Sequence, residues 1–299
     1  MFLVTFALGV SALSREECLA FLYAYMPESD RSLPASFFEL QSKQALKTRN
    51  MFPWGSLIPD AIFLNDVLPY ASLTEPRDNW RSADWFIDFM YDIVRDCGDV
   101  ECAVKELNTH AWGIVDPAIV FEPSRPNEIN SYSPFQTIHR GNSSCTGLSI
   151  LLVDSLRAVG VPARIAGTPH WNRGGEVCPN GDEDAECGNH NWVEVWAPEK
   201  GWSWVDQRRP DKQVLALNES WFNHQAIKQG GTENHTIFAS SFAPTDRMQK
   251  TKGYWAGHNV LTAQRFPLAW DWAQRSIHAW NVTASYKRAE MSEQYIFEI

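Results

Sequence analysis

The chain has 299 residues, of which 44% are hydrophobic and 21% charged, and its formal net charge is −10. A chain of this length and composition can bury a sizeable core, as one large domain or two. The acidic balance, without any run of basic residues, argues against nucleic acid and anionic membranes as partners. These properties leave the oligomeric state open.

The first twelve residues form an apolar stretch that ends in the small residues Val10, Ser11 and Ala12. Because a bilayer crossing needs about 20 residues, neither this stretch nor any later one is long enough to span a membrane. Small residues at the end of such a stretch are typical of a signal peptidase site, although no Lys or Arg precedes the apolar part. We expect residues 1–13 to be a signal peptide and the mature protein to be secreted or extracytoplasmic.

Residues 14–125 have the pattern of a helical N-terminal region. Apolar residues recur at helical spacing, and Pro, Asp and Asn separate the segments. The spacing predicts helices over 16–25, 34–47, 59–68 and 82–95. Residues 113–140 are rich in Pro, Asn and Ser and are predicted to form a loop that leads to the next segment.

The segment 141–162 places one cysteine at the start of a strongly apolar helix. Ser143 or Ser144 can cap the helix, and Gly160 can end it in the left-handed conformation. The apolar residues cover most of its surface, so only the N-terminal end should meet solvent. There the helix dipole favours thiolate over thiol, which makes Cys145 a candidate nucleophile. A buried structural cysteine is the alternative, because free cysteines are commonly buried.

Two short segments further along, 188–196 and 202–206, alternate aromatic or β-branched residues with others and predict an antiparallel hairpin. With a turn over about 196–200, His190 lies opposite Asp206. A carboxylate at that position can hold the tautomer and orientation of the imidazole, which can then take the cysteine proton. The hairpin therefore predicts the other two members of a catalytic triad.

In this order, the motifs resemble the transglutaminase-like superfamily, whose Cys-His-Asp chemistry is papain-like. The resemblance covers about residues 130–210. It depends on Gly-Asn-Ser-Ser-Cys145 with its apolar helix and on the segments 156–164, 190–196 and 202–206. It implies an α+β fold in which a buried nucleophile helix packs on an antiparallel sheet, with a catalytic core at 126–215 and an aromatic-rich C-terminal extension at 216–299.

The resemblance also implies a role for each of three residues. Cys145 corresponds to the nucleophile, His190 to the general base and acid, and Asp206 to the residue that orients the histidine. His139 is nearer to the cysteine in sequence, but only His190 has a carboxylate at hairpin spacing. Oxyanion donors are also needed, and we expect the backbone N–H of Cys145 and the side chain of Gln136 to supply them. An exposed loop glutamine is the alternative interpretation of Gln136.

The remaining cysteines indicate an oxidising compartment. Their spacing predicts two local disulfides, Cys97 with Cys102 and Cys178 with Cys187. Cys18 and Cys145 are then left over, and a disulfide between them is the alternative that would remove the nucleophile. Four Asn-x-Ser/Thr sequons are compatible with a secreted glycoprotein. They lie at Asn142, Asn218, Asn234 and Asn281.

No cofactor or metal is predicted. The chain contains no Cys-x-x-Cys pair for a zinc site. The acidic loop between Cys178 and Cys187 has oxygen ligands for calcium, but hydration of an exposed loop is the simpler interpretation. Several tryptophans lie near the predicted cleft, where flat rings can bind substrate, although core packing is the alternative for each. The substrate-binding candidates are Trp171, Trp192 and Trp204.

The sequence thus predicts a cysteine-dependent enzyme that forms a thioester from an amide bond. Water as the acceptor makes it a peptidase or amidase, which is the favoured hypothesis because no second site is needed. An amine as the acceptor makes it a transglutaminase or ligase. A non-catalytic module that binds a glycan or peptide is the alternative from another class. The predicted partner is a peptide, a glycopeptide or another amide.

Overall fold

The computed structural model describes residues 13–124, 131–172, 187–207, 216–220, 222, 226–228, 235–245, 263–266, 268 and 276–296. The predictions for the signal at 1–12, for Cys178 as a disulfide partner, for the acidic loop 179–186 and for the sequon at Asn234 lie outside these residues.

The N-terminal region is helical, as its spacing predicts. Helices α1 to α4 agree with the four predicted segments to within about one turn, and short 3-10 helices connect some of them. Helix α5 was not predicted; it begins after Asp99, whose side chain accepts a hydrogen bond from the Cys102 N–H at 2.8 Å. The helices are α1 (Arg15–Tyr25), α2 (Ala35–Met51), α3 (Asp60–Asp66), α4 (Asp84–Val94) and α5 (Val100–His110).

The segment predicted as a loop over 113–140 contains ordered elements, so that prediction is partly wrong. Strand β1 (Val120–Phe121) pairs in parallel with β2 (Asn142–Ser143). Helix α6 (Pro134–Arg140) lies before β2 and begins with a capping box formed by Ser133 and Gln136. Helix α6 and strand β2 therefore fix the path of the backbone immediately before Cys145.

Helix α7 (Cys145–Ala158) is the centre of the fold, and its residues after Cys145 are all buried. Its end has the predicted glycine: Gly160 takes a φ of 76°. The Gly160 N–H bonds to the Arg157 carbonyl at 3.1 Å, and the Val161 N–H bonds to the Leu156 carbonyl at 2.9 Å. These two bonds form a Schellman motif, which stops the helix where the sequence predicts.

Donors from the N-terminal region satisfy further carbonyls at the end of α7. The Thr48 hydroxyl donates to the Ala158 carbonyl at 3.3 Å, and the Trp54 indole N–H donates to the Val159 carbonyl at 3.0 Å. In return, the buried guanidinium of Arg157 donates to carbonyls of the segment 66–71. Helix α7 and the N-terminal region thus share buried polar contacts.

On its other side, α7 packs against an antiparallel sheet, in contact with β3 and β4. The sheet order is β5-β4-β3-β6-β8-β7, and helix α8 (Thr283–Ile296) follows the last strand. The expected α+β class, with a buried helix on an antiparallel sheet, is confirmed. The strands are β3 (Ala163–Asn172), β4 (Cys187–Ala197), β5 (Gly201–Val205), β6 (Phe238–Ser241), β7 (Ala263–Arg265) and β8 (His278–Asn281).

The hairpin of β4 and β5 forms, but its predicted register is wrong by two residues. The turn occupies only 198–200, because Gly201 is left-handed (φ 71°) and pairs with Ala197. Val193 therefore faces Val205, and the continued register places Asp206 level with Trp192 instead of His190. A shift of two residues keeps every side chain on its predicted face. Asp206 therefore approaches His190 diagonally.

Candidate active site

The fold brings together the three residues singled out in the sequence. Cys145 is the first residue of α7, His190 lies on β4, and Asp206 follows the end of β5. Because α7 packs against β4 and β4 pairs with β5, neighbouring elements hold the three side chains in a row.

His190 and Asp206 form a short, largely buried hydrogen bond. The distance from Nε2 to Oδ1 is 2.8 Å, and the side chains are 8% and 14% exposed. Burial alone lowers the pKa of His190, but the charge and hydrogen bond of Asp206, with a smaller effect of Cys145, outweigh it and raise this pKa to about 10. With Nε2 bound to the carboxylate, Nδ1 is the nitrogen that remains for Cys145.

Cys145 is a free, partly buried thiol that hydrogen-bonds to His190. Burial raises the pKa of the thiol, but the hydrogen bond and charge of His190, with the backbone N–H of Asn191, outweigh burial and hold the pKa below its usual range. The positive end of the α7 dipole, at the first turn of the helix, also stabilises the thiolate. The result favours a thiolate beside an imidazolium. A disulfide between Cys145 and Cys18 does not form, since both are free.

Asn191 connects the histidine strand to the nucleophile helix through several hydrogen bonds. Its side-chain amide donates to the Thr146 hydroxyl at 2.8 Å, and its carbonyl accepts from the Ser149 hydroxyl at 3.1 Å. Its backbone N–H donates to the Cys145 sulfur. Sequence reasoning missed this residue, although its position beside His190 is the one signal that the sequence offers.

Asp206 is held from the opposite side by α5. The side-chain amide of Asn108 donates to the Asp206 carbonyl at 2.7 Å, and Asn108 is buried. Gln207, the next residue, reaches both the nucleophile helix and β4. Neither contact was predicted, because α5 was not recognised as a helix and a buried amide has no periodic signal.

The substrate-binding role predicted for Trp192 and Trp204 is contradicted by their burial. The two indoles are 0% and 4% exposed. Trp192 stacks on Phe222 with centroids 4.2 Å apart, and Trp204 stacks on Tyr286 at the same distance. Both rings therefore belong to the core, and Trp192 lies beside His190 with ring centroids 5.9 Å apart. The side chain of Trp171 lies outside the described residues.

Gln136 occupies the first turn of α6. Its Oε1 accepts a hydrogen bond from the Ser133 N–H at 3.0 Å, so the side chain takes part in the capping box. The oxyanion role of Gln136 stays a prediction. His139, the competing candidate base, is exposed near the end of the same helix.

Cys97 and Cys102 form a disulfide with an S–S distance of 2.06 Å, as their spacing predicts. Within the described ranges, no group of His, Cys, Asp and Glu is arranged to hold a metal ion. None of the helices in the same ranges combines the length and hydropathy that a bilayer crossing requires.

Gly167 on β3 is where a small change should disturb the site. A Cβ at this position would lie 2.1 Å from Oδ1 of Asn191 and 2.8 Å from the carbonyl oxygen of His190. Gly167→Ala should therefore displace β4 and lower the rate of any reaction that depends on Cys145 and His190 about 100-fold, as expected for a shift near 1 Å. Gly113→Ala is the matched control, because a Cβ there meets no atom within 4 Å. Equal activity of the two variants would contradict the prediction.

A family model matches the part of the chain that contains this site. Residues 88–207 match the model of the transglutaminase-like superfamily. The matched part of the chain includes Cys145, His190 and Asp206. The match begins earlier than the motifs in the sequence indicate, because it includes α5 and most of α4.

Two solved structures are similar to part of the chain. A protein from Cytophaga hutchinsonii, provisionally named a cysteine protease, is 14% identical with a TM-score of 0.30, over 45% of this chain and 40% of its own. Red sea bream transglutaminase is 12% identical with a TM-score of 0.31, over 44% of this chain and 27% of its own. The similarity thus spans less than half of either protein. No curated protein matches the chain in sequence.

Proposed function

We propose that the protein is a cysteine-dependent acyl-transfer enzyme that hydrolyses an amide bond of a peptide, a glycopeptide or another amide. The observation that carries this proposal is the hydrogen-bonded row of Cys145, His190 and Asp206 at the first turn of α7. A lowered thiol pKa beside a raised imidazole pKa is the electrostatic state that a thiol nucleophile requires.

The proposed reaction has two steps. The Cys145 thiolate attacks the amide carbonyl carbon, and the oxyanion accepts a hydrogen bond from the Cys145 backbone N–H and, we propose, from Gln136. The imidazolium of His190 then protonates the leaving amine as the C–N bond breaks, which leaves a thioester. Neutral His190 next takes a proton from water, the hydroxide forms a bond to the acyl carbon, and the carboxylic acid leaves as the thiolate is restored.

Throughout both steps, the side chain of Asp206 holds Nε2 of His190. This geometry keeps Nδ1 directed to the sulfur. An amine in place of water gives transfer through the same three residues. We favour hydrolysis because it needs no acceptor site, and we favour catalysis over a binding module because binding alone does not need an activated thiol.

We also propose that the protein acts outside the cytoplasm. The disulfide between Cys97 and Cys102 supports this location, because disulfides form and persist mainly in oxidising compartments.

Selective alkylation tests the activated thiol. Iodoacetamide at about pH 6 to 7, below the ordinary thiol pKa of about 8.5, should label Cys145 and stop cleavage of a panel of peptide amides in step with labelling. Cys18 is the internal control, since burial raises its pKa to about 12 and it should stay unlabelled. Mass spectrometry of the peptides measures both sites.

The pH dependence of the two reactions should differ. Alkylation needs only the thiolate, so its rate rises once, through the lowered pKa of Cys145, and then stays level. Hydrolysis also needs protonated His190, so it falls again near pH 10. Labelling of Cys145 only above about pH 8.5, without amide cleavage, would contradict the proposed function. Adding a primary amine and analysing the products separates hydrolysis from transfer.

A further inference from the structure

Gln207 joins the two elements that carry the nucleophile and the base. It directly follows Asp206 and is 6% exposed. Its side-chain nitrogen Nε2 lies 3.0 Å from the Cys145 carbonyl oxygen and 3.2 Å from the Asn191 carbonyl oxygen. An amide nitrogen has two N–H donors, so both carbonyls can accept at once.

The two carbonyls belong to the residues whose spacing matters most for the proposed chemistry. Cys145 carries the sulfur, and Asn191 follows His190 and donates its own N–H to that sulfur. Gln207 therefore closes a ring of contacts that runs from α7 to β4 and back. Asp206, the preceding residue, holds the imidazole of His190. The dipeptide Asp206-Gln207 therefore contacts both the histidine side chain and the backbone of Cys145 and Asn191.

We propose that Gln207 is a positioning residue, which sets the distance between Cys145 and the His190–Asn191 segment. This inference rests on the proposed function and adds a residue to it. With Gln207 in place, the His190 hydrogen bond and the Asn191 N–H both reach the sulfur. Without it, α7 and β4 lose a shared donor at the site, and the pKa of Cys145 should rise toward its ordinary value.

The side-chain oxygen of Gln207 makes it possible to remove the amide at a small cost in stability. Oε1 of Gln207 is buried and has no hydrogen-bond partner among the described residues. Gln207→Met keeps the length of the side chain, removes the two donated bonds and also removes this unpaired oxygen. A substitution that removes an unsatisfied acceptor offsets part of its own loss of stability. The effect on reactivity should therefore exceed the effect on folding.

The experiment compares Gln207→Met with Gln41→Met. Gln41 is a buried glutamine whose amide also bridges two groups, with Nε2 3.0 Å from Asn79 and Oε1 2.9 Å from Arg81. The pH dependence of Cys145 alkylation, kcat and KM for one amide substrate, and the unfolding temperature are measured for both variants.

In Gln207→Met, the alkylation midpoint should rise by about one pH unit, and kcat should fall about tenfold with KM little changed. Gln41→Met should lower the unfolding temperature and leave the midpoint where it is. A folded Gln207→Met protein with the midpoint and kcat of the unsubstituted enzyme would overturn the inference.

A second measurement needs no substitution. In the unsubstituted protein, the side-chain amide protons of Gln207 should exchange slowly with solvent, and their NMR signals should shift when Cys145 is alkylated. Fast exchange with no shift overturns the inference even if Gln207→Met does not fold. The proposed function fails separately, if unsubstituted Cys145 titrates as an ordinary thiol and no amide is cleaved. A reactive Cys145 with an unaffected Gln207 variant refutes only the positioning role.

Discussion

Replacing Cys145 by Ala should abolish both cleavage and transfer of amides, with a loss in kcat of about 10⁴-fold or more. The substitution removes the attacking atom and leaves His190, Asp206 and the backbone N–H groups of α7 in place. Any residual rate then comes from binding and oxyanion stabilisation alone. Steady-state kinetics on the best substrate of the amide panel, with circular dichroism to verify folding, measures the effect.

Cys18→Ala is the control for loss of a free thiol. Cys18 is fully buried in the core, so this variant loses some packing but keeps the site. It should retain the activity of the unsubstituted enzyme at a temperature where it is folded. If Cys145→Ala retains full amide activity, thiol chemistry at this residue is excluded.

Asp206→Asn should lower kcat by about 10³- to 10⁴-fold, because asparagine keeps the size of the side chain and removes its charge. Burial then dominates at His190, and its pKa falls from about 10. A neutral imidazole no longer stabilises the thiolate, so the pKa of Cys145 rises toward its ordinary value. The pKa values of Cys145 and His190 therefore move toward each other. The pH range in which a Cys145 thiolate faces a His190 imidazolium becomes narrower.

The pH profiles of kcat/KM and of alkylation measure that narrowing. For Asp206→Asn, the rising limb should move to higher pH and the falling limb to lower pH. Asp96→Asn is the control, because the Asp96 side chain is 94% exposed and its charge is screened by solvent. An Asp206→Asn profile that overlays that of Asp96→Asn would show that the carboxylate does not tune the site.

Local signals were sufficient to predict the nucleophile helix. Gly160 ends α7 in the left-handed conformation, and the apolar residues before it are buried. The same kind of signal was present but overlooked for α6, where Ser133 and Gln136 form a capping box before Gly141. For α5, the cap Asp99 lies between the two cysteines of the predicted Cys97–Cys102 disulfide, and its capping signal was overlooked.

Other features depend on tertiary contacts that no local pattern reports. The register of the hairpin depends on the length of its turn, which Gly201 shortens to three residues. The burial of Trp192 depends on Phe222 and Tyr286, which are distant in sequence. The roles of the buried amides of Asn108 and Gln207 could not be predicted, because their hydrogen-bond acceptors are distant in sequence and approach only in the folded protein.

The donors at the end of α7 determine how much of this chain is needed for α7 to fold. Thr48, Trp54 and the carbonyls of 66–71 all precede residue 88, where the family match begins. A fragment trimmed to that match would remove the Asp66, Pro69 and Ala71 carbonyls from Arg157 and keep the Ala163 carbonyl, which accepts from Nε at 3.0 Å. Each buried donor left unsatisfied in this way typically costs about 1 to 3 kcal/mol. We therefore expect the smallest autonomous folding unit to be larger than the segment 88–207 that the family model matches, so expression of this protein should begin upstream of α2.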